Sequence, residues 1–379
     1  MKSRKVLITG GAGFIGSHLA LKLLSLGYEV SVLDNLSPQI HGEGDNSELF
    51  QKIKGKVRFV HGDVQHKKDW EEALKEQEIV VHLAAETGTG QSMYQIEKYS
   101  DVNVKGTSIF LDILTNTKHT IKKVVLASSR AVYGEGKYYS PTQKRYLYPL
   151  GRKEADMLQG DFDVKDLSTG EILELVPTDE NAAIHPNSIY GLTKYYQEQA
   201  LLITCQSIGI PAVAFRYQNV YGPGQSLKNP YTGILSIFST RIKAHKPINI
   251  FEDGKESRDF VYIDDVVRAT ILGIEKDTAN YQVINVGAGV STSVLEVVSE
   301  LMKNYGITVP FEISGQFRNG DIRHNLADMT KAESLLGFKA SIPFAEGIKH
   351  FTDWVNTQSL TTNYYEQSLQ ELKEKGLLK

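Results

Sequence analysis

The chain has 379 residues, of which 41% are hydrophobic and 23% are charged, and its formal net charge is −3. This composition is typical of a globular protein and excludes the disordered, collagen-like and coiled-coil classes. The near-neutral charge gives no electrostatic reason to expect a nucleic acid as a partner. The length allows two or three domains, or one large α/β domain with an appendage.

Short β-branched segments alternate with helical patterns along the first half of the chain. Helices are predicted at 14–26 and around 102–114. The predicted strands are 6–8, 29–33, 57–60, 79–83, 124–127, 212–215 and 283–286. Continuous apolar strands separated by helices indicate a parallel sheet that is covered on both faces. We therefore expect an α/β fold with a Rossmann-type doubly wound sheet.

The second half is less regular and predicts a smaller C-terminal α/β lobe that binds substrate. We assign residues 1–216 to a nucleotide-binding domain with a polar insertion at 137–185, in which 162–176 form a β-hairpin, and elements at about 260–287 return to this domain. Residues 217–259 and 288–358 form the lobe, which we expect at the carboxyl ends of the strands, where open α/β sheets bind ligands. Residues 359–379 form a helical tail.

Membrane, metal and disulfide chemistry are not expected. No apolar stretch approaches the roughly 18 residues of a membrane-spanning helix, and the apolar run at 6–8 is too short for a secretory signal. Cys205 is the one cysteine, which excludes an intramolecular disulfide and a multi-cysteine zinc site. These features favour a cytoplasmic protein without a bound metal.

Three glycines follow the first predicted strand and open the first helix. Gly10, Gly13 and Gly16 have the spacing of a phosphate-binding turn, in which the backbone approaches a pyrophosphate and the helix N-terminus supplies amides. Asp34 ends the second strand, where a carboxylate binds ribose hydroxyls and repels a 2′-phosphate, so NAD is favoured over NADP. Asp63, after the third strand, is a possible adenine contact.

A tyrosine and a lysine four residues apart predict the catalytic centre. Tyr190 and Lys194 lie on one face of a predicted helix, so the ammonium is expected to lower the pKa of the phenol and make it a general base for an alcohol. Ser129 lies just past the fifth strand, where its hydroxyl reaches the same substrate oxygen. Ser128 is the alternative for that role.

Several motifs now occur in a fixed order along residues 1–350. They are T-G-G-A-G-F-I-G (9–16), H-L-A-A (82–85), N-V-K-G-T (103–107), S-S-R-A-V-Y-G (128–134), Y-G-L-T-K (190–194), R-Y-Q-N-V-Y-G-P-G-Q (216–225) and R-D-F-V-Y-I-D-D (258–265). With them the chain resembles the extended short-chain dehydrogenases/reductases of the nucleotide-sugar epimerase/dehydratase family. The resemblance implies tightly bound NAD, a nucleotide-diphosphate sugar as substrate and a homodimer formed by the helices around 102–114 and 189–207.

The resemblance also implies roles for individual residues. Tyr190 is the base, Lys194 its partner and a ribose contact, and Ser129 binds the substrate hydroxyl. The further cofactor contacts are Phe14, Ile15, Asn35, Val64, Leu83, Ala84, Ala85 and Asn103. The substrate contacts are Thr87, Gln91, Ser92, Arg130, Asn219 and Arg258, with Arg318 or Arg323 as a second ligand of the diphosphate. Arginine suits a diphosphate because its guanidinium donates two parallel hydrogen bonds.

The residues after Ser129 distinguish between reactions of the family. Its 4,6-dehydratases carry an acidic pair before V-Y-G, and its decarboxylases carry a glutamate there, whereas this chain has Arg130 and Ala131. Neither residue transfers a proton as a carboxylate does. What remains is a 4-epimerase that oxidises C4 to a ketone and returns the hydride to the opposite face. The alternatives are a 4-ketoreductase or dehydrogenase, then a 4,6-dehydratase or a non-catalytic NAD-binding scaffold.

The sugar is predicted from local similarity. The segment 87–94, the arginine at position 130, the long insertion and the lysine-rich tail are similar to a bacterial branch of the family that acts on dTDP-L-rhamnose. We therefore expect a dTDP-6-deoxyhexose or a UDP-hexose as substrate.

Overall fold

The computed structural model describes residues 4–42, 44, 47–227, 229, 233–318, 320–359 and 365–379. The strands are Lys5–Thr9 (β1), Glu29–Asp34 (β2), Arg58–His61 (β3), Ile79–His82 (β4), Lys123–Ser129 (β5), Tyr138–Ser140 (β6), Arg145–Leu147 (β7), Glu174–Leu175 (β8), Ala212–Tyr217 (β9), Asn219–Tyr221 (β10), Ile248–Ile250 (β11), Ser257–Tyr262 (β12), Gln282–Val286 (β13), Ser291–Ser293 (β14) and Phe311–Ile313 (β15).

The α-helices are Phe14–Ser25 (α1), Pro38–His41 (α2), Glu48–Ile53 (α3), Lys67–Ala73 (α4), Thr89–Ser92 (α5), Ile96–Tyr99 (α6), Gly106–Asn116 (α7), Glu154–Met157 (α8), Ile189–Ser207 (α9), Ile234–Lys243 (α10), Ile263–Glu275 (α11), Val294–Tyr305 (α12), Thr330–Leu336 (α13), Phe344–Asn356 (α14) and Tyr365–Glu374 (α15). A π-helical turn, Ser100–Lys105, precedes α7 and forms the start of the helix predicted around 102–114. Among the described helices, none is long and apolar enough to cross a bilayer.

The central sheet has seven parallel strands in the order β13-β9-β5-β4-β1-β2-β3. The predicted strands are confirmed, with ends that differ by one or two residues. The strand order reverses between β1 and β4, and such a reversal opens a crevice at the carboxyl ends of the strands. The predicted α/β class with a Rossmann-type sheet is therefore confirmed.

Both faces of the sheet are covered because successive side chains of a strand point to opposite sides. In β1, Val6 and Ile8 pack into one core cluster and Leu7 packs into the other. The first cluster includes residues of α1 and α11 and continues into α10, α12 and α14. The second contains residues of α4, α7 and α9, among them the buried Trp70 and Phe110. The continuous first cluster joins the sheet to the C-terminal elements.

Small sheets organise the rest of the chain. Strands β10, β12 and β14 form one and β11 and β15 form another, within the region predicted as the substrate lobe. Strand β13 lies at the edge of the central sheet, where it pairs with β9. The exact division into domains stays a prediction.

The insertion at 137–185 contains a three-stranded sheet in the order β7-β6-β8. The predicted hairpin at 162–176 pairs only over a short stretch, where Lys165 bridges Ile172 and the Leu173 amide donates to Val164 at 2.9 Å. The hairpin of β6 and β7 was not predicted because its strands have only three residues each, too few for a visible alternation. The predicted tail helix is α15, and residues 360–364 of the tail lie outside the described residues.

A buried ion pair holds α9 against the sheet. Glu198 of α9 is 0% exposed. Its Oε1 accepts a hydrogen bond from Arg216 at 2.6 Å, and its Oε2 accepts from Arg216 at 3.0 Å and from Ser128 at 2.7 Å. Arg216 lies on β9 and Ser128 on β5, so one carboxylate connects the helix to two adjacent strands.

Replacing this carboxylate is expected to destabilise the fold. In Glu198→Gln the buried guanidinium of Arg216 loses its counter-charge, which costs about 3–5 kcal/mol of unfolding free energy. The measurement is the urea midpoint at constant slope. The matched control is Glu72→Gln, whose partners Lys75 and Arg58 are exposed and which should lower the urea midpoint far less, because solvent screens a surface ion pair. Equal losses in the two variants would contradict the role given to Glu198.

Candidate active site

A cleft of about 610 Å³ lies at the carboxyl ends of the central strands. Most of the residues predicted to bind ligands line it. They are Gly10, Gly13, Phe14, Ile15, Gly16, Asp34, Asn35, Asp63, Val64, Leu83, Ala84, Ala85, Thr87, Ser129, Arg130, Tyr190, Lys194, Asn219, Arg258 and Arg318. The structure thus brings together residues from motifs that are distant in the sequence.

The glycine turn can accept only glycine at two positions. Gly10 has φ +67°, and a Cβ there would lie 2.8 Å from the Ala84 amide nitrogen. A Cβ on Gly16 would lie 2.3 Å from the Gly10 carbonyl oxygen. Gly13 is the N-cap of α1, and among the described residues no side chain caps this end and no acid stands in its first turn. The turn therefore fits a pyrophosphate at the helix N-terminus.

Two carboxylates follow β2 and β3 along the same edge. Asp34 is 7% exposed and accepts hydrogen bonds from the Ala12 amide at 3.0 Å and from the Leu36 amide at 2.9 Å. Asp63 accepts from the Asn35 side chain at 2.8 Å. Both carboxylates have lone pairs left for ligand hydroxyls and lie where the adenosine half of a dinucleotide binds in this fold.

Helix α9 brings Tyr190 and Lys194 into the cleft. Ser188 caps the helix by accepting from the Gly191 amide at 3.1 Å, and the Tyr190 amide donates to Ser92 Oγ at 3.0 Å. The phenol ring packs edge-on against Tyr99, with 6.4 Å between ring centroids. Lys194 Nζ donates to Gln197 Oε1 at 2.8 Å. The predicted pair lies on one helix face, as the spacing requires.

The electrostatics of the pair differ from the expectation. Burial raises the pKa of Tyr190, and a hydrogen bond with Ser129 and the charge of Arg130 act against this shift. Burial also lowers the pKa of Lys194 to about 7, so this lysine is a weaker cation than was assumed. In the cofactor-free protein burial dominates the pKa of Tyr190, and Arg130 is the cation that opposes this shift. That Lys194 lowers the pKa of Tyr190 stays a prediction.

Ser129 and Ser128 are separated by the alternation of β5. Ser129 Oγ accepts from the Ala131 amide at 3.2 Å and engages Tyr190, whereas the Ser128 hydroxyl donates to Glu198. Because Ser128 serves the buried ion pair, Ser129 is the serine available to a substrate.

The arginines gather around one carboxylate that was not predicted. Arg258 donates to Asp321 at 3.0 Å, and Arg318 lies 3.3 Å from the same carboxylate. Although burial acts in the other direction, Arg258, Arg318 and Arg130 hold the pKa of Asp321 well below its usual range. Burial and the neighbouring Arg258 lower the pKa of Arg130 to about 10. Asp321 therefore fixes a cationic wall of the cleft.

Arg323 does not belong to this wall. Its guanidinium donates to Asp253 at 2.6 and 2.8 Å and to Glu252 at 3.1 Å, and the side chain is 2% exposed. Because these acids occupy it and it does not line the cleft, we withdraw Arg323 as a ligand of the diphosphate in favour of Arg318.

Three other predicted contacts lie behind the cleft wall. Asn103 accepts from the Glu86 amide at 2.8 Å and donates to Thr193 at 3.0 Å. Gln91 bonds to Gln39, and Ser92 holds the start of α9. All three are buried and do not line the cleft. Direct ligand contact by Asn103, Gln91 and Ser92 is therefore not supported by the structure, which gives them positioning roles.

Comparison with known proteins identifies the family. The model of the NAD dependent epimerase/dehydratase family matches residues 6–154 and 166–287. The chain belongs to this family. It is similar to a dTDP-L-rhamnose 4-epimerase of Burkholderia thailandensis, with 36% identity over 93% of this chain and 95% of the relative. A putative UDP-glucose 4-epimerase of Methanocaldococcus jannaschii is 33% identical over 94% of this chain and 100% of the relative.

Solved structures agree with this assignment. The UDP-glucuronic acid 4-epimerase of Bacillus cereus, in complex with UDP-glucuronic acid and NAD, matches with a TM-score of 0.75 and 26% identity over 93% of this chain and 99% of that one. The UDP-glucose 4-epimerase of Thermotoga maritima, with UDP-glucose, matches with a TM-score of 0.72 and 29% identity over 93% and 98% of the two chains.

Some cleft residues of this epimerase/dehydratase family member were missed from the sequence. Asp321 lies three residues after Arg318, and this short spacing of opposite charges was the signal in the sequence for their ion pair. Glu256 lines the cleft at 8% exposure, and burial raises its pKa to about 7. Four residues of α15 also line the cleft: Tyr365, Ser368, Leu369 and Leu372. The helix that carries them was predicted from the sequence, but its packing against the cleft was not.

The lowered pKa of Lys194 predicts how stability depends on pH in the cofactor-free protein. Below pH 7 the buried ammonium is charged and destabilises the fold, and this penalty disappears as the pH rises from about 7 to 10.5. The gain in unfolding free energy of Lys194→Met over wild type should be largest at pH 7. This gain should shrink by up to about 1.4 kcal/mol for each unit by which the pH rises. Urea unfolding at pH 7, 8 and 9 measures this difference.

The control for this measurement is Lys118→Met at an exposed position. Its unfolding free energy should stay parallel to that of wild type over the same range. If the unfolding free energies of Lys194→Met and wild type also ran parallel with pH, the lowered pKa of Lys194 would be contradicted.

Proposed function

We propose that the protein is a nucleotide-sugar 4-epimerase with tightly bound NAD. The observation that carries the proposal is the meeting of Tyr190 and Ser129 in the cleft, with Arg130 and Ala131 at the two positions where dehydratases and decarboxylases place carboxylates. This set provides a base and a hydrogen-bonding hydroxyl for an alcohol, and it lacks at these positions the acid that eliminates water or acts on a carboxylate.

The glycine turn, Asp34 and Asp63 would hold NAD, which supplies a hydride acceptor and donor when bound. Tyr190 accepts the proton of the C4 hydroxyl while Ser129 bonds to the same oxygen, and C4 becomes a ketone. Arg130 stabilises the phenolate, because its charge lowers the pKa of Tyr190. Once the hydride that leaves C4 for bound NAD has returned to the opposite face of C4, Tyr190 gives the proton back to the C4 oxygen. No net oxidation results, so the cofactor stays bound.

The sugar must turn over between the two half-reactions while the diphosphate stays in place. Arg258 and Arg318 each pair with a different carboxylate oxygen of Asp321, and Asn219 lines the same cleft. These side chains would anchor the diphosphate through charge-assisted hydrogen bonds. Arg258 and Arg318 lie in the predicted lobe, whereas Tyr190 lies on α9 and Ser129 at the end of β5. The anchor and the reacting pair thus belong to different parts of the chain, and the sugar would turn between them.

The substrate class follows from the relatives. The similar proteins named above act on dTDP-L-rhamnose, UDP-glucose and UDP-glucuronic acid, all of which are nucleotide-diphosphate sugars. We propose a dTDP-6-deoxyhexose or a UDP-hexose as the substrate of this chain. A homodimer and a cytoplasmic location remain predictions. The exposed apolar side chains of α9, Leu192 at 53%, Tyr196 at 40% and Ile203 at 66%, support the dimer because they form one face of the helix.

The deciding assay incubates the purified protein with dTDP-L-rhamnose, UDP-glucose and UDP-N-acetylglucosamine without added cofactor. We expect conversion of at least one sugar to its C4 epimer, with no net change in reduced-nicotinamide absorbance. Conversion that requires added NADPH would indicate the ketoreductase alternative, and loss of water from the sugar would indicate a dehydratase. Either result would overturn the proposal.

Replacing the phenol tests the base. Tyr190→Phe should lower kcat by at least about 10²–10⁴-fold, the contribution of general acid–base catalysis, while NAD stays bound. The matched control is Tyr196→Phe on the same helix, whose hydroxyl meets Ser108 at 2.7 Å on an exposed surface. Single-turnover rates and the bound-NAD content of both variants are measured. A Tyr190→Phe enzyme with a rate near wild type would show that another group is the base.

A further inference from the structure

Helix α15 forms part of the wall of the substrate cleft. Its residues Tyr365, Ser368, Leu369 and Leu372 line the cleft and share one helix face, because they lie at positions i, i+3, i+4 and i+7. The opposite face, which carries Gln367, Gln370 and Lys373, is exposed. The helix has 10 residues and is therefore about 15 Å long, enough to extend along one side of the cleft.

Both ends of α15 are tied to the body of the protein. At its start, Glu366 bonds to Arg241 of α10 at 2.8 Å, and the Arg241 guanidinium stacks on the Tyr365 ring at 5.4 Å. Near its end, Glu371 accepts from the Tyr94 hydroxyl at 3.1 Å, and Lys375 lies 4.8 Å from the centre of the Tyr94 ring. The helix thus connects the lobe to the segment that follows β4.

The residues after α15 extend this attachment. The Phe317 and Lys379 backbones exchange hydrogen bonds of 2.9 and 3.0 Å, and Leu378 bridges Arg318. Lys379 Nζ bonds to Glu154 of the insertion at 2.5 Å. The chain end is therefore held against the strand segment that carries Arg318, the arginine assigned to the diphosphate.

The other end of α15 stands near the reacting pair. A Cβ built on Gly90 would lie 3.9 Å from Leu372 Cδ2. The carbonyls of Thr87 and Gly88 in the same loop accept from the Tyr99 hydroxyl at 2.5 and 2.9 Å, and the Tyr99 ring packs on Tyr190. Leu372 thus packs beside α5, whose Ser92 accepts from the Tyr190 amide at 3.0 Å, so it lies toward the reacting pair. Tyr365 lies toward Arg318, whose charge acts on its phenol.

The C-terminal part of the face that α15 presents to the cleft is apolar. Leu369 and Leu372 have no hydrogen-bonding groups. The polar groups of this face lie toward its start, at Tyr365 and at Ser368, whose hydroxyl donates to the Tyr365 carbonyl at 2.7 Å. A sugar hydroxyl pressed against these leucines would lose its water without gaining a partner, which is costly, whereas a methyl group would gain by burial. An apolar wall of this kind therefore favours a sugar with a methyl group over one with a hydroxymethyl group or a carboxylate.

We propose that Leu369 and Leu372 are specificity-determining residues that select a 6-deoxy sugar, with a methyl at C5, over a sugar with a hydroxymethyl or carboxylate there. The inference rests on the proposed function, because it assumes a nucleotide sugar in this cleft. It narrows the substrate to the 6-deoxyhexose class. Apolar contact with one methyl group distinguishes substrates by about 10–200-fold in kcat/KM, and loss of the contact removes that preference.

The experiment compares dTDP-6-deoxy-D-glucose with dTDP-D-glucose on the full-length holoenzyme. The variants are Leu372→Ser and Leu369→Ser, and the matched control is Gln370→Ser on the exposed face of the same helix. We expect the ratio of kcat/KM for the two sugars to fall at least about tenfold in each leucine variant and to stay unchanged in the control. Thermal midpoints and circular dichroism check that the variants fold. If Leu372→Ser does not fold, Leu369→Ser provides the result, because Leu369 is only half-buried.

Different outcomes contradict the epimerase function and the selection of a 6-deoxy sugar. If wild type converts neither of these two sugars, the ratio of their dissociation constants measured by calorimetry decides the inference, and the epimerase function is judged separately by the assay with dTDP-L-rhamnose, UDP-glucose and UDP-N-acetylglucosamine. An unchanged ratio in the leucine variants, or an equal fold-loss for both sugars, would overturn the selection of a 6-deoxy sugar by α15.

Discussion

The carboxylate of Glu198 fixes the geometry on which the active site depends. It lies on α9 two turns after Tyr190, is fully buried, and accepts three hydrogen bonds from Arg216 of β9 and Ser128 of β5. A buried carboxylate bound to one guanidinium at two atoms tolerates little rotation or sliding of its helix. The phenol of Tyr190 therefore keeps its position relative to the end of β5, where the substrate hydroxyl is bound.

The same contact explains which serine serves the substrate. Along β5, Ser128 and Ser129 point to opposite sides, and Glu198 draws the first into the core. Close packing of α9 reinforces this arrangement, since a Cβ on Gly191 would lie 2.5 Å from the Ala131 carbonyl oxygen. The peptide that follows Ser129 thus supports the helix that carries the base, so a change in the S-S-R-A segment alters both reacting groups at once.

The parts of the molecule that were predictable are those encoded by local patterns. The strands of the central sheet follow from runs of buried β-branched residues, and the pyrophosphate turn follows from glycines whose Cβ atoms would collide with backbone. The choice between Arg318 and Arg323 was not predictable, because both flank Asp321 and only the packing of Glu252 and Asp253 engages Arg323. The positions of Leu369 and Leu372 in the cleft wall were likewise not predictable. Their spacing indicates an amphipathic helix, but the local sequence does not specify which surface α15 covers.

The cationic wall shows why net charge gave no hint of the ligand. Arg130, Arg258 and Arg318 surround Asp321, so three guanidinium groups face one carboxylate in a chain whose total charge is −3. Asp321 lowers the repulsion among the three guanidinium groups and holds Arg258 and Arg318 by direct ion pairs before any ligand arrives. A diphosphate of about two negative charges thus meets arginines that are already ordered, so less side-chain entropy is lost on binding. The anchor is consequently rigid while the sugar beyond it turns, which is the condition that inversion at C4 imposes on the site.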